Sequence, residues 1–182
     1  MISREEALVL VNDSLKKRNL VKHVLAVEAI MRDLAEKFGE DVEKWGVAGL
    51  LHDLDYEQTM EEPEKHGYLT VERLREMDVP DDVLHAILAH AGHVERESLM
   101  DKAIYCSDPV TGLIVASALM HPTKSLAGMD AAFVGKRFKE KRFAAGANRE
   151  AIASCSELNL DLQEFLEISL EAMRKISVEL GL

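Results

Sequence analysis

Apolar residues recur at helical spacing along nearly the whole chain, and the strict alternation that marks a half-buried strand is scarce. Val9, Leu10 and Leu15 outline a first amphipathic segment. Leu20, Val24, Val27, Ile30, Met31 and Leu34 outline a second, in clear steps of three and four. Gly39 punctuates the pattern before a third segment over 42–52. The polar stretch 57–64, which contains Pro63, then interrupts regular structure. Tyr68, Val71 and Leu74 resume the helical pattern, Pro80 stops it, and Asp81 and Asp82 supply good residues for the next helix start. Further helices are predicted over 99–118, 131–143, 149–155 and 162–178. The pattern predicts an all-α fold, and with no repeat, low-complexity tract or long linker the chain reads as a single domain over 1–182.

Composition narrows this picture. With 182 residues, 47% of them hydrophobic and 30% charged, the chain is long and apolar enough for a real core. Residues 1–6 lack the basic start and apolar run of a signal peptide, and no uninterrupted apolar run approaches the roughly 20 residues of a membrane span. The expected location is therefore the cytoplasm, with no membrane partner. Cys106 and Cys155 lie far apart without CxxC spacing and read as reduced core residues. A formal charge of −11 argues against a general nucleic-acid binder, whose affinity rests largely on a basic face. It leaves room for a small anionic substrate, provided that a metal or a local basic cluster supplies positive charge.

Both kinds of charge have candidates. His52-Asp53 closes the apolar run 47–51, and a buried histidine beside a buried aspartate is costly unless something satisfies both; a divalent cation would. The competing reading is a histidine favourably placed at a helix C-terminus with a solvated aspartate beyond it. His23 shares a helical face with Val27, Ile30 and Leu34 and should point inward, as a ligand or as a hydrogen-bonded core residue. His90 lies on the face of Val83 and Ile87, whereas His85 lies on nearly the opposite face and is expected at the surface. His93, just past Gly92, is a candidate substrate contact. His66, after the polar stretch, reads equally well as a ligand or as an exposed loop residue. Asp108 has a competing role too, because Ser107-Asp108-Pro109 resembles a helix start with aspartate as cap and proline at the first position. The run 136–142 carries five bases and one acid, which suits either a solvated helix face or phosphate contact through Lys136 or Arg137. The following 144–149 could form a turn and helix start whose amides help to bind an anion.

The ordered set His23, His52-Asp53 and Asp108 resembles the metal-dependent HD-domain phosphohydrolases, which carry a His, a His-Asp doublet and a distal Asp on a helical bundle. The segments "VKHVLAVEAIMRDLAEKFGED", "AGLLHDLDYE", "EKHGYLTVERLREMDVPDDVLHAILAHAGH" and "LMDKAIYCSDPVTGLI" carry the resemblance, which covers 20–118 and leaves 119–182 as a helical extension. Binuclear branches, including HD-type diadenosine tetraphosphate hydrolases, add two histidines between the doublet and the last aspartate, and His66 and His90 occupy those places. The resemblance implies that His23, His52 and Asp108 hold one metal, that His66 and His90 hold a second, and that Asp53 bridges them. The GYP signature of the cyclic-dinucleotide branch is missing.

Imidazole and carboxylate ligands suit Mn, Fe, Co or Zn, and such a cation brings the pKa of its water from about 15.7 toward about 7. The expected activity is hydrolysis of a phosphate ester, with a nucleotide as the leading substrate class, through a metal-bound water oriented by Asp53. Asp55 is a candidate to support that group from behind. Two alternatives stand beside it: a regulatory module that binds metal and nucleotide without turnover, and a di-iron oxygenase, since some HD-domain relatives use the six-ligand arrangement oxidatively. The oligomeric state is open, because the stripe Leu162, Phe165, Leu166, Ile168, Leu170 and Met173 could pack on the domain or on another subunit.

Overall fold

The computed structural model describes residues 1–182, which form helices and turns with no strand. The helices are α1 (Arg4–Ser14), α2 (Arg18–Phe38), α3 (Val42–Leu51), α4 (Tyr56–Thr59), α5 (Tyr68–Leu74), α6 (Asp81–His90), α7 (Leu99–Met120), α8 (Ala131–Lys139), α9 (Arg149–Ala153), α10 (Leu162–Lys175) and α11 (Ser177–Leu180). α2 and α7 form the spine: α3 and α10 pack on α2, while α6, α8 and α9 pack on α7.

The helix ends follow from local chemistry. Ser3 and Glu6 make a reciprocal capping box on α1, and Ser98 and Asp101 do the same for α7. Gly39, at φ 71°, ends α2 in the left-handed conformation that glycine adopts without steric cost. α2 buries Val24, Val27, Ile30, Met31 and Leu34, the stripe that its sequence outlined. On α1 the buried face is Ala7, Leu10 and Val11, and Val9 is exposed. The reading of Val9 as part of the apolar face is corrected: Leu10 and Leu15 are buried as expected, and Ala7 and Val11, one turn apart, complete the packed face in place of Val9.

Asp108 is the larger correction. The 22-residue helix α7 runs unbroken through Pro109, so Asp108 caps no helix and sits in its middle. Ser98, ten positions earlier, supplies the start signal. Pro109 has no N–H to give to the carbonyl of Tyr105, and the surrounding packing carries the helix past that lost bond. α7 is long and apolar enough by composition to cross a membrane, but 56% of its most apolar window is buried inside the fold, as in the core helix of a soluble protein. The C-terminal stripe packs on α2, α7 and α8: Phe165, Leu166, Leu170 and Met173 are buried, and Leu162 and Ile168 partly so. The predicted helix 162–178 breaks at Ile176 into α10 and α11, and 149–155 ends as α9 followed by a 3-10 segment from Ser154.

Gly49 sets the distance between α2 and α3. A Cβ on it would lie 2.9 Å from the backbone N and Cα of Glu28, so only glycine lets the two helices approach this closely. The buried Glu28 carboxylate is satisfied by Arg4 of α1 and by Arg32, one turn further along α2. The close approach brings the end of α3 beside the start of α2, with the His52 and His23 rings 5.3 Å apart.

Candidate metal centre

Four imidazoles surround Asp53, and each is fixed through Nδ1. His52, at the C-terminus of α3, donates Nδ1–H to the Gly49 carbonyl at 2.8 Å. His90, the last residue of α6, donates Nδ1–H to the Ile87 carbonyl. His66 gives Nδ1–H to Asp55 at 2.8 Å. The Thr111 hydroxyl donates to the Asp108 carbonyl at 2.9 Å, and so accepts from His23 Nδ1–H, also at 2.9 Å. In each case the partner can only accept, which leaves the Nε2 lone pair of the neutral ring aimed at the centre.

The distances around Asp53 divide into two halves. Oδ2 lies 3.4 Å from His23 Nε2, which is also 3.2 Å from Asp108 Oδ1. Oδ1 lies 3.5 Å from His52, 3.2 Å from His66 and 3.6 Å from His90, each measured to Nε2. His66 and His90 bring their Nε2 atoms to 3.1 Å of one another. The set also fits a cation by what it leaves unsatisfied, because His52 Nε2 is completely buried and has no hydrogen-bond partner. Ligand atoms of His23, His52 and Asp108 lie within 4.8 Å of one another, as do those of His52, Asp53 and His90. These imidazole and carboxylate clusters can bind a divalent metal.

The protonation states reflect how much charge has been gathered here. Burial lowers the His52 pKa to about 4, keeping that ring neutral. Burial also works against charge on His23, but its hydrogen bonds to Asp108 and Asp53 prevail and raise it to about 10. His66 rises to about 10 in the same way, through Asp53 and Asp55 against desolvation. Desolvation opposes ionisation of Asp53 too, yet the surrounding histidines hold its carboxyl well below the usual range. Without a cation, protons on His23 and His66 offset part of the charge of Asp53, Asp55 and Asp108.

Asp55 is buried, accepts from the Thr70 amide at 2.9 Å and orients His66, so it supports a ligand from behind. His93 donates Nε2–H to the His66 carbonyl at 2.7 Å, and its ring lies over Tyr68 with centroids 4.1 Å apart. His85 is half-buried and faces away, 3.1 Å from the capping residue Asp101. Lys136 is exposed on α8, while Arg137 is paired with Glu140 and flanked by the rings of Phe133 and Phe143. Neither lines the clefts beside His23. The segment just after them does: Ala144, Gly146 and Ala147 face Asp108 across a cleft of about 330 Å³. Arg149 holds that segment by donating to the carbonyls of Phe138, Ala144 and Ala147 at 3.1, 2.9 and 2.7 Å. The sequence reading did not single out Thr111 or Thr70. For Thr111 a signal exists, a small polar residue at a buried position among Val110, Leu113 and Ile114, one turn after Asp108.

The sequence model of the HD domain matches residues 20–128. The chain belongs to the HD-domain family. Its curated relatives include Ribonuclease Y of Sulfurovum sp. (strain NBC37-1), 27% identical over 87% of this chain and 32% of the relative. Ribonuclease Y of Symbiobacterium thermophilum is 28% identical over 90% of this chain and 32% of the relative. That of Aliarcobacter butzleri is 34% identical over 52% and 18%. The HD-domain chain thus spans about a third of the length of the first two. No solved structure matches it. The family model extends ten residues past the 118 expected from the motifs, through the turn after α7. Family and relatives together support a metal-dependent hydrolase at the level of the family.

Proposed function

We propose that this HD domain hydrolyses a phosphate ester of a nucleotide with two divalent cations of the Mn, Fe, Co or Zn type, in the cytoplasm. The observation that carries the reading is the convergence of four Nδ1-anchored imidazoles on the two oxygens of Asp53. His23, His52 and Asp108 would hold one cation and His66 and His90 the other, with Asp53 shared between them. When bound, the cations supply a water of lowered pKa and positive charge against the phosphoryl oxygens.

The chain's own groups do the rest. Asp53, between the two halves of the cluster, accepts a hydrogen bond from the attacking water and aims it at phosphorus. The attack forms a P–O bond, the ester P–O bond breaks, and the leaving oxygen takes a proton that came from the water. Asp55 and Thr111 hold His66 and His23 in the required tautomers. His93 keeps the His66 backbone in place and borders the site. Phosphate contact by Lys136 would come from an exposed side chain, and contact by Arg137 would replace its pair with Glu140. The name of the relatives, ribonuclease, fits a nucleotide ester. The charge of −11 favours a small substrate over a long polyanion.

The test is elemental analysis of protein purified without chelator, followed by hydrolysis assays on a panel of nucleotides and simple phosphate esters. About two metal ions per chain are expected, with turnover abolished in Asp53→Ala. Full metal occupancy without hydrolysis across the panel would leave a binding module, and iron-dependent oxygen uptake would mark an oxidative enzyme; either overturns the proposal.

A further inference from the structure

Arg149 gives its whole guanidinium to one turn of the chain, donating to the carbonyls of Phe138, Phe143, Ala144 and Ala147. That turn forms one wall of the cleft of about 330 Å³, with His23, Asp108 and Thr111 on the other. Arg149 itself does not line the cleft and stands behind the turn.

The direction of these carbonyls fixes the direction of the amides that follow them. In a trans peptide C=O and N–H point opposite ways, and no peptide of this chain is cis. With the Phe143 and Ala144 carbonyls drawn back to Arg149, the N–H groups of Ala144 and Ala145 point forward, to the cleft. Neither donates to an acceptor within the protein, whereas Phe143 N–H goes to the Glu140 carbonyl and Ala147 N–H to that of Ala144, at 2.9 Å each. Ala144 is held at φ 44°, a left-handed conformation that residues with a Cβ adopt only at a cost. Successive amides around such a residue make a concave nest for an anion. The start of α9 plays no part, because Asn148 Oδ1 already accepts from the amides of Glu150 and Ala151 at 3.0 and 3.1 Å. Lys141 and Arg142, exposed just before the turn, add positive charge in an otherwise acidic chain.

We propose that Ala144 and Ala145 form an oxyanion cradle for the substrate, their amides taking an anionic oxygen of a phosphoryl group from the wall of the cleft opposite His23 and Asp108. Arg149 is the residue that positions them. Hydrogen bonds from N–H to a charged oxygen are about twice as strong as those between neutral groups. The Asp108 carboxylate across the cleft repels an anion until a cation is bound beside it, so the cradle fills only in the metal-loaded protein. This inference rests on the metal-dependent hydrolase reading above.

The test titrates the isotope-labelled full chain, loaded with Zn and freed of excess metal, with inorganic phosphate. The amide signals of Ala144 and Ala145 should shift downfield and saturate together, and should stay in place in the metal-free chain. Arg149→Met keeps much of the side-chain length and loses the donors, so it should raise the phosphate Kd at least about tenfold with Zn affinity unchanged. Ala144→Gly keeps the left-handed turn and should bind phosphate within about twofold of the parent. The parent spectra decide the matter even where Arg149→Met fails to fold. Phosphate that does not bind the Zn-loaded chain, that binds without moving these two amides, or that binds a folded Arg149→Met as well as the parent overturns the cradle and leaves the hydrolase reading standing. A chain that takes up no divalent cation overturns both.

Discussion

A histidine binds a cation well only when its other nitrogen is held, and here all four rings are held by different partners. Thr111 is the most easily tested, because threonine to valine keeps the shape and removes only the hydroxyl that accepts from His23. Thr111→Val should weaken metal binding about 10–100-fold, with helical content unchanged, as judged by titration of metal-free protein. An affinity equal to the parent's would mean that His23 needs no such support. A second consequence concerns protons. Because His23 and His66 both have pKa values raised to about 10, each ring carries a proton at neutral pH in the metal-free protein, and a cation must displace it. Metal affinity should therefore rise with pH between about 6.5 and 9, by up to about tenfold per unit for each displaced proton. Calorimetric titrations in buffers of different ionisation enthalpy would count those protons, and a flat profile would place the protons elsewhere. His23, His52, His90 and Asp53 were legible in the sequence because helical periodicity and the closing position of the doublet put them inside. His66 and Asp108 were not separable from a loop residue and a helix cap on residue pattern alone. The role of Thr111 depends on the carbonyl of Asp108 three residues away, which no periodicity reports.

At the scale of the helices, the site is positioned by how closely α3 can approach α2, and Gly49 sets that limit. Gly49→Ala would press a methyl against the Glu28 backbone and should cost about 1–3 kcal/mol, lowering the melting temperature and loosening the His52–His23 pairing. His85→Ala is the contrasting substitution. It removes a half-buried ring from Asp101 on the far side of α6, so it should leave metal affinity unchanged and cost about 1 kcal/mol or less. A loss of metal binding in His85→Ala as large as in His90→Ala would mean that the two faces of α6 have been misassigned. The sequence foretold α2, α3 and α6 to within a residue or two, because their apolar stripes are long and their ends carry glycine or acidic signals. It could not foretell that α7 runs through Pro109. Ser107-Asp108-Pro109 satisfies every local rule for a helix start, and only burial on both sides of Pro109, from Ala103 to Leu113, holds the helix together there. Val9 was placed with Leu10 by apolar spacing alone, and α1 packs through Ala7, Leu10 and Val11 instead, leaving Val9 in solvent.

At the scale of the whole molecule, the six candidate ligands come from α2, the end of α3, the loop before α5, α6 and α7, elements spread from residue 23 to residue 108. Without a cation, the carboxylates they gather are offset only in part by protonated imidazoles, and His52 Nε2 is left unpaired. A cation that binds this arrangement binds the folded chain and not the unfolded one, so its binding energy adds to the stability of the fold. At a free metal concentration about a hundred times Kd, the gain is about 2.7 kcal/mol per site. For a chain of this size that corresponds to a rise in Tm of roughly 5–10 °C. Thermal unfolding of chelated and Mn- or Zn-loaded protein should show the rise, and it should shrink in Asp53→Asn, where the group reaching both halves of the cluster loses its charge. The C-terminal extension sharpens the measurement. α10 packs on α2 and α7, the two helices that carry His23 and Asp108, so metal-linked stabilisation should extend to it and unfolding should remain one transition. A metal-dependent shift confined to a first transition, with α10 melting separately, would divide the chain into two units. An identical Tm with and without metal would mean that the cluster holds its carboxylates by protons alone.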